Sequence, residues 1–199
     1  MGNLLDNNAL RISVGLRLGA KLCRSHTCRC GANVDEYGQP GLSCEFSGGG
    51  FSRHSALYES LKRALTSAQI PAILEPPRIF RKDKRRSDGM TQVPWKNGKE
   101  SVWDVTVVNT LALTNFAMSM VKAGLATDAA ERRKINKYQD IRRQFQFCRV
   151  GLGTLGPWGP GVTELFEAIG RKMTEVSGES RFFSFFKQRV SIDIKRENS

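Results

Sequence analysis

Apolar residues recur at helical spacing in several segments of the chain, and these segments predict its helices. The clearest is residues 52–69, where four apolar side chains share one face and Pro71 follows. Residues 9–20 repeat apolar side chains at every fourth position, whereas residues 131–143 present a basic face. The predicted helices are 9–20, 52–69, 111–130 with a break near Gly124, 131–143, 162–176 and 180–196.

Short runs of β-branched and aromatic residues predict the strands. Residues 72–75 and 145–152 are two candidates. Residues 88–95 and 101–108 are two more, and an Asn-Gly pair lies between them, which favours a tight hairpin turn. We therefore expect a β-hairpin that carries one aspartate on each strand.

The helices and strands together indicate an α/β (α+β) fold in which a central mixed sheet is flanked by helices. Residues 23–50 lack any such periodicity and are rich in Cys, Gly and Pro, so we expect a small Cys-rich module there. Four of the five cysteines lie between Cys23 and Cys44, a clustering that favours metal binding in a reducing compartment. The predicted domains are residues 1–50, the N-terminal helix with this module, and residues 51–199.

The net charge of +12, from 31 basic and 19 acidic residues, favours a polyanionic partner. Nucleic acid is the first candidate, ahead of an anionic membrane surface or charge that serves only solubility. We find neither a signal peptide nor a membrane span and expect an intracellular or nuclear protein. The candidate nucleic-acid contacts are Arg53, His54, Arg81, Lys82, Lys84, Arg85, Arg86, Arg132 and Arg133.

Asp88 and Asp104 lie on the two strands of the predicted hairpin, between two basic segments. Two carboxylates on neighbouring strands can bind a divalent metal, which lowers the pKa of bound water and neutralises charge on a phosphate oxygen. The alternative is structural, with Asp88 a turn residue before Gly89 and Asp104 a charge at the edge of a strand. From spacing alone the structural alternative is favoured.

Several short motifs, taken together, resemble one family. They are Cys28-Arg-Cys30, Cys44, Arg53-His54, Glu75-Pro76, Arg86-Ser-Asp88-Gly89, Trp103-Asp104-Val-Thr-Val107 and Lys134-Ile-Asn-Lys137-Tyr138. Over about residues 5–196 the chain is similar to the restriction-like endonuclease region of non-LTR retrotransposon polyproteins. The resemblance implies a restriction-endonuclease-like core behind a small zinc module, and a metal-dependent activity that nicks DNA. A catalytically inactive nucleic-acid-binding remnant is the alternative.

The resemblance also implies roles for individual residues. Asp88 and Asp104 would bind Mg²⁺, and a lysine from the following helix, Lys137 in preference to Lys134, would assist catalysis beside Tyr138. The structural alternative for these lysines is contact with the phosphate backbone or an ordinary solvated face. DNA is the expected partner, with the element's RNA as a second candidate.

The chain departs from the family pattern at three positions, Ser87, Thr106 and Pro40. Ser87 replaces the proline before the first aspartate, and Thr106 stands where restriction enzymes often carry the lysine. Pro40 replaces the histidine of the zinc module. Because tetrahedral zinc takes four ligands, Cys28, Cys30 and Cys44 need a fourth, for which the candidates are Cys23, His54 and, most attractively, His26.

Overall fold

The computed structural model describes residues 4–44, 46, 48–77, 87–95 and 97–198, with the backbone alone described at 43 and 48–52. The helices are α1 (Asn7–Leu18), α2 (Gly48–Ser67), α3 (Leu113–Val121), α4 (Leu125–Lys137), α5 (Pro160–Ser177) and α6 (Phe182–Arg196). The strands are β1 (His26–Thr27), β2 (Asn33–Val34), β3 (Ala72–Leu74), β4 (Gly89–Thr91), β5 (Ser101–Val108) and β6 (Gln146–Gly153). Most predicted helices and strands are confirmed, but α4 crosses the predicted division at residue 130, residues 139–143 form a 3-10 helix, and β1 and β2 were not predicted. Helix α2 runs across the proposed domain boundary at residue 50.

The main sheet has four strands in the order β3-β4-β5-β6. The first two pairings are antiparallel, whereas β5 and β6 are parallel and joined by α3 and α4, as a parallel pair requires a crossover. The protein is thus a mixed α/β fold with a mixed sheet flanked by helices. No helix among the described residues is long and apolar enough to cross a membrane.

The hairpin between β4 and β5 closes at the predicted Asn-Gly pair. Asn97 and Gly98 both have positive φ angles, 54° and 68°. Two successive residues with positive φ are typical of a type I′ turn, whose twist matches that of the flanking strands. The backbone N–H of Trp95 donates to the carbonyl of Lys99 at 3.0 Å and closes the loop. The strands joined by this loop pair Gly89 with Trp103, the residues next to the two aspartates.

Alternate residues of β5 face two different layers of helices. Trp103 and Val105 are buried in the large core, to which α2, α5 and α6 contribute. Val102 instead packs with Tyr138 and Phe147 on the opposite side of the sheet. Because side chains alternate along a strand, Asp104 faces the α4 side together with Val102.

The apolar stripe of α1 points away from the core. Leu10, Val14 and Leu18 are exposed, whereas Ala9 and Leu16 are buried. The helix begins after Asp6, whose carboxylate accepts the backbone N–H of Ala9, and it ends at a left-handed glycine. The prediction of a helix here is confirmed, but the face defined by the four-residue repeat is the solvent face.

A buried carboxylate fixes the start of α5. Glu131 on α4 is 1% exposed and accepts backbone N–H groups from Gly151, Gly161 and Val162 at 3.1, 2.9 and 3.2 Å. Two of these donors belong to the first turn of α5, where amides have no partner within the helix. A Cβ at Gly159 would collide with the Glu131 carboxylate, so the loop must pass this close without a side chain.

Candidate active site and cysteine cluster

The strand register places Asp88 beside Asp104. Gly89 on β4 is paired with Trp103 on β5, so the next residues outward along this antiparallel pair are Asp88 and Asp104. The N–H of Asp88 donates to the carbonyl of Trp103 at 3.1 Å and extends the pairing by one residue. A Cβ at Gly89 would collide with the Trp103 indole, which explains why glycine follows the aspartate. The structure thus brings the two predicted carboxylates together.

The Asp88 carboxylate is held by a histidine and a backbone amide. Its Oδ2 atom accepts from His54 Nε2 at 3.1 Å and from the backbone N–H of Val105 at 2.5 Å. Burial opposes ionisation of this carboxyl, but the hydrogen bonds from His54 and Val105 outweigh it and lower the pKa of Asp88. The hydrogen bond to Asp88 in turn raises the pKa of His54, despite the opposing effect of burial. Asp88 is therefore kept as an anion.

Asp104 is more deeply buried, and its main partner is a lysine. Lys134 Nζ lies 2.5 Å from Asp104 Oδ2, and the Tyr138 hydroxyl also hydrogen-bonds this carboxyl. Burial raises the pKa of Asp104 above its ordinary value, against the effect of Lys134. The negative charge of Asp88 also raises the pKa of Asp104, so the two carboxyl groups lie close enough to influence each other's ionisation.

The lysine that contacts Asp104 in the structure is Lys134, whereas the prediction preferred Lys137 as the catalytic lysine. Lys134 is the lysine whose ammonium contacts Asp104, whereas Lys137 Nζ lies 5.5 Å from the centre of the Tyr138 ring. Both lysines belong to the last turn of α4, which ends at Lys137. Tyr138 is 1% exposed and stacks on Phe147, with ring centres 4.3 Å apart. It is part of the core as well as a partner of Asp104.

Helix α2 supplies a second aromatic residue that the sequence analysis did not identify. Tyr58 lies one turn after His54, with ring centres 5.4 Å apart. Burial raises the pKa of Tyr58, and the charge of Asp88 raises it further, so the phenol stays protonated beside the carboxylates. The four-residue spacing of His54 and Tyr58 was the available signal, since residues at this spacing share a helix face.

Arg53 is not the surface nucleic-acid contact that was expected. It is 4% exposed, and its guanidinium donates to the carbonyls of Leu42 at 2.7 Å and Glu197 at 3.4 Å and to the side chain of Asn198 at 3.3 Å. Burial lowers the pKa of Arg53. The side chain links segments that are distant in sequence, and it is buried because its acceptors belong to those segments.

The other predicted nucleic-acid contacts divide into two groups. Arg132 and Arg133 are exposed on α4, and Arg132 pairs with Asp128 at 2.8 Å. Arg81, Lys82, Lys84, Arg85 and Arg86 lie outside the described residues. In the described part of the chain, the exposed basic surface next to Lys134 is therefore that of α4.

Three cysteines converge in the N-terminal module. The Sγ atoms of Cys28, Cys30 and Cys44 all lie within 4.8 Å of one another, and those of Cys28 and Cys44 are 3.1 Å apart. The loop between β1 and β2 presents the first two thiols, and a 3-10 helix at Gln39–Ser43 leads to the third. Hydrogen bonds from the Cys30 backbone and the Cys44 thiol to the Cys28 sulfur lower the pKa of Cys28 to about 7. The cluster can hold a metal ion, because thiolates are the ligands zinc prefers.

The candidate fourth ligands lie apart from this cluster. The Nδ1 atom of His26 is 2.9 Å from the carbonyl of Arg24, and the Cys23 thiol donates to the carbonyl of Asp35 at 3.2 Å. His54 is bonded to Asp88. The structure thus does not bring His26 to the cluster, which across residues 4–44 and the later described ranges comprises three thiols.

The aspartate pair offers a different set of ligand atoms. Within the described ranges, the cysteine cluster is the only group of three or more His, Cys, Asp or Glu ligand atoms that lie within 4.8 Å of one another. Asp88 and Asp104 thus provide two carboxylates and not a complete ligand shell. Two carboxylates suit Mg²⁺, which keeps several water molecules and is commonly completed by substrate phosphates.

Comparison with known proteins does not assign the chain to a family. No protein-family model matches it, and no curated protein matches it significantly. The functional interpretation therefore depends on the geometry of the two aspartates and on the sequence motifs.

Proposed function

We propose that the chain is a metal-dependent DNA endonuclease domain that nicks DNA by phosphodiester hydrolysis, similar to the restriction-like endonucleases of non-LTR retroelements. The observation that carries the proposal is the adjacent pair Asp88 and Asp104, with Lys134 bonded to the second carboxylate. Paired carboxylates can bind Mg²⁺, and a lysine can stabilise the charge that develops on the phosphate during metal-assisted hydrolysis.

Each residue of the centre has a defined part in this proposal. Asp88 and Asp104 would hold Mg²⁺, which supplies a water of lowered pKa and neutralises charge on the phosphate. Lys134, which is bonded to Asp104, would orient the attacking water or stabilise the anionic phosphate. The buried Tyr138 would hold the Asp104 carboxylate through its hydroxyl group.

Nucleic-acid binding is proposed on the basis of charge. The net charge is +12, and Arg132 and Arg133 are exposed on the helix that carries Lys134. Such residues would contact phosphates, so the affinity would fall steeply as salt is raised and would carry little sequence information. DNA is the proposed partner, and competition with RNA of equal length measures the preference between the two.

A zinc ion in the cysteine cluster belongs to the same proposal. Cys28, Cys30 and Cys44 would provide three thiolates, and a fourth ligand would complete the tetrahedron. The ion would join the β1–β2 loop to the segment before α2. Metal analysis of the purified protein tests this assignment, and less than about 0.1 zinc per chain would remove zinc from the proposal.

The endonuclease activity is tested on supercoiled plasmid with Mg²⁺. We expect nicked circles to accumulate, EDTA to stop the reaction, and Asp104→Asn to lose it while the protein remains folded by circular dichroism. Wild-type protein that binds the plasmid in a gel shift but never nicks it, with Mg²⁺ or Mn²⁺, would contradict the proposal.

One observation favours a second candidate, a nucleic-acid-binding protein that does not cut. Each carboxylate of the centre already has a side-chain partner able to carry positive charge, His54 on Asp88 and Lys134 on Asp104. The centre is therefore balanced in charge without a metal, as in a structural ion-pair cluster. In this case Asp104→Asn would lower stability and leave DNA binding intact, with no nicking in either protein.

A further inference from the structure

His54 lies against the Asp88 carboxylate, a position that contact with nucleic acid alone would not require. Its Nε2 atom lies 3.1 Å from Asp88 Oδ2, and its side chain is 38% exposed. The same oxygen accepts the backbone N–H of Val105 at 2.5 Å, so two donors from different elements converge on one carboxylate atom. Two fixed donors on one oxygen leave the carboxylate little freedom to rotate.

The orientation of the His54 ring is itself restrained. Tyr58 lies one turn further along α2, with its ring 5.4 Å from that of His54 at an angle of 34°. Just before His54, the buried Arg53 ties α2 to the carbonyl of Leu42. The imidazole therefore approaches Asp88 from a helix whose local position is fixed.

We propose that His54 is a positioning residue that orients the Asp88 carboxylate to bind the divalent metal. The inference rests on the proposed metal-dependent function of the Asp88–Asp104 pair. A histidine that orients a metal-binding carboxylate acts through that ligand, and loss of such partners typically lowers metal affinity by about 10- to 100-fold. His54 would thus determine how tightly the centre binds its metal, with little direct effect on DNA affinity.

The alternative role for His54 is contact with DNA phosphate. In that role its loss would weaken DNA binding and reduce the salt dependence of the affinity, whereas metal affinity would not change. The two roles therefore differ in an equilibrium that can be measured without DNA. Binding of Mn²⁺, followed through the electron paramagnetic resonance signal of the free ion, measures that equilibrium.

Two amide substitutions make a matched pair for the experiment. In His54→Gln the side-chain amide nitrogen can reach the position of Nε2 and donate to Asp88. In His54→Asn the shorter side chain places its nitrogen near the position of Nδ1, and this contact is lost. We expect the asparagine variant to bind Mn²⁺ about tenfold more weakly than wild type, and the glutamine variant to recover most of the affinity.

Nicking assays provide a second readout. For His54→Asn we expect the Mg²⁺ concentration at half-maximal rate to rise about tenfold, with a maximal rate near that of wild type at saturating Mg²⁺. Lys62→Ala, which removes an exposed charge two turns further along α2, is the control and should match wild type in both measurements. Thermal unfolding of each variant establishes that the chain is folded.

The outcomes separate this inference from the proposed function. If Asp104→Asn loses Mn²⁺ binding while His54→Asn binds as wild type does, His54 has no positioning role and the proposed function stands. If His54→Asn weakens only DNA binding, the residue is a DNA contact and the inference is overturned. If wild-type protein binds no Mn²⁺ at millimolar concentration, the proposed function and this inference both fail.

Discussion

Two carboxylates lie between α4 and the sheet, and their hydrogen-bond donors are of different kinds. Glu131 is bonded by three backbone amides, from Gly151, Gly161 and Val162, with Arg149 further away at 3.6 Å. Asp104 is bonded mainly by the side chain of Lys134. Both are almost fully buried, and burial raises the pKa of each.

The difference lies in whether the partners can move. Backbone amides at a helix start are fixed by the fold, so the Glu131 carboxylate has one place and one set of partners. A lysine ammonium is a compact charge at the end of a flexible side chain. Lys134 can therefore move away from Asp104, which frees the carboxylate oxygens to bind a metal and the ammonium to contact a phosphate, without any change in the backbone. Burial alone therefore does not identify a functional carboxylate, whereas exchangeable partners indicate one.

We expect the largest loss of activity when Asp104 is changed. Asp104→Asn removes a charged ligand but keeps the shape, and we expect Mg²⁺-dependent nicking to fall about 10³-fold while the unfolding midpoint changes little. Plasmid nicking measures the first effect and urea unfolding the second. A variant that keeps wild-type nicking would place the chemistry elsewhere.

The loss of Lys134, which contacts Asp104, should lower the nicking rate more than the loss of Lys137. We expect Lys134→Gln to lower the nicking rate about 10²-fold at saturating DNA and Mg²⁺, because the positive charge beside the reacting phosphate is lost. Lys137→Gln is the matched control on the same helix and should retain the wild-type rate under these conditions. Equal losses in both variants would mean that the lysines serve DNA binding alone.

Changes at Glu131 should lower stability and leave the nicking activity nearly unchanged. Glu131→Ala leaves buried amides at the start of α5 without an acceptor, and we expect the free energy of unfolding to fall by about 2–3 kcal/mol. Glu131→Gln keeps one acceptor oxygen and should lose about half as much. Urea denaturation followed by circular dichroism gives both values, and DNA nicking by Glu131→Gln at low temperature should stay near wild type.

The smallest predicted effect concerns the cysteine cluster, where the titrating group is a thiol. Because the pKa of Cys28 is lowered to about 7, its reactive thiolate dominates above pH 7 and falls up to tenfold for each pH unit below. In metal-free protein, the rate of Cys28 alkylation by iodoacetamide should therefore rise between pH 6 and 8 with a midpoint near 7. Mass spectrometry identifies the labelled cysteine.

Zinc provides the control for that measurement. A bound ion would hold the Cys28 thiolate and protect it from alkylation across the same pH range. Alkylation of Cys28 with a midpoint near that of an unperturbed thiol would instead show that the hydrogen bonds from Cys30 and Cys44 do not persist in solution.

The local elements of this fold could be predicted from the sequence because local rules determine them. The Asn-Gly turn has the two positive φ angles that its residues favour, and the helices carry the expected spacing. Which face of α1 is buried could not be predicted in the same way. The repeat of Leu10, Val14 and Leu18 defines one face, but small residues on the other side pack inward.

The candidate site was predictable to the extent that strand register determines it. Asp88 and Asp104 were expected on paired strands and lie beside each other. The choice between Lys134 and Lys137 depends on how α4 lies across the sheet, which spacing along one helix does not specify. The burial of Arg53 depends on acceptors 11 and 144 residues away in sequence, and no local pattern carries that information.

The buried Arg53 guanidinium also affects how the chain can be shortened. Its acceptors include Leu42, just before Cys44, and Glu197 and Asn198 near the end of the sequence. Removing the last residues would leave a buried cation with fewer acceptors, at the start of the helix that carries His54. A fragment that retains the aspartate centre should therefore extend from before Leu42 to at least Asn198, although neither of these residues contributes a ligand to that centre.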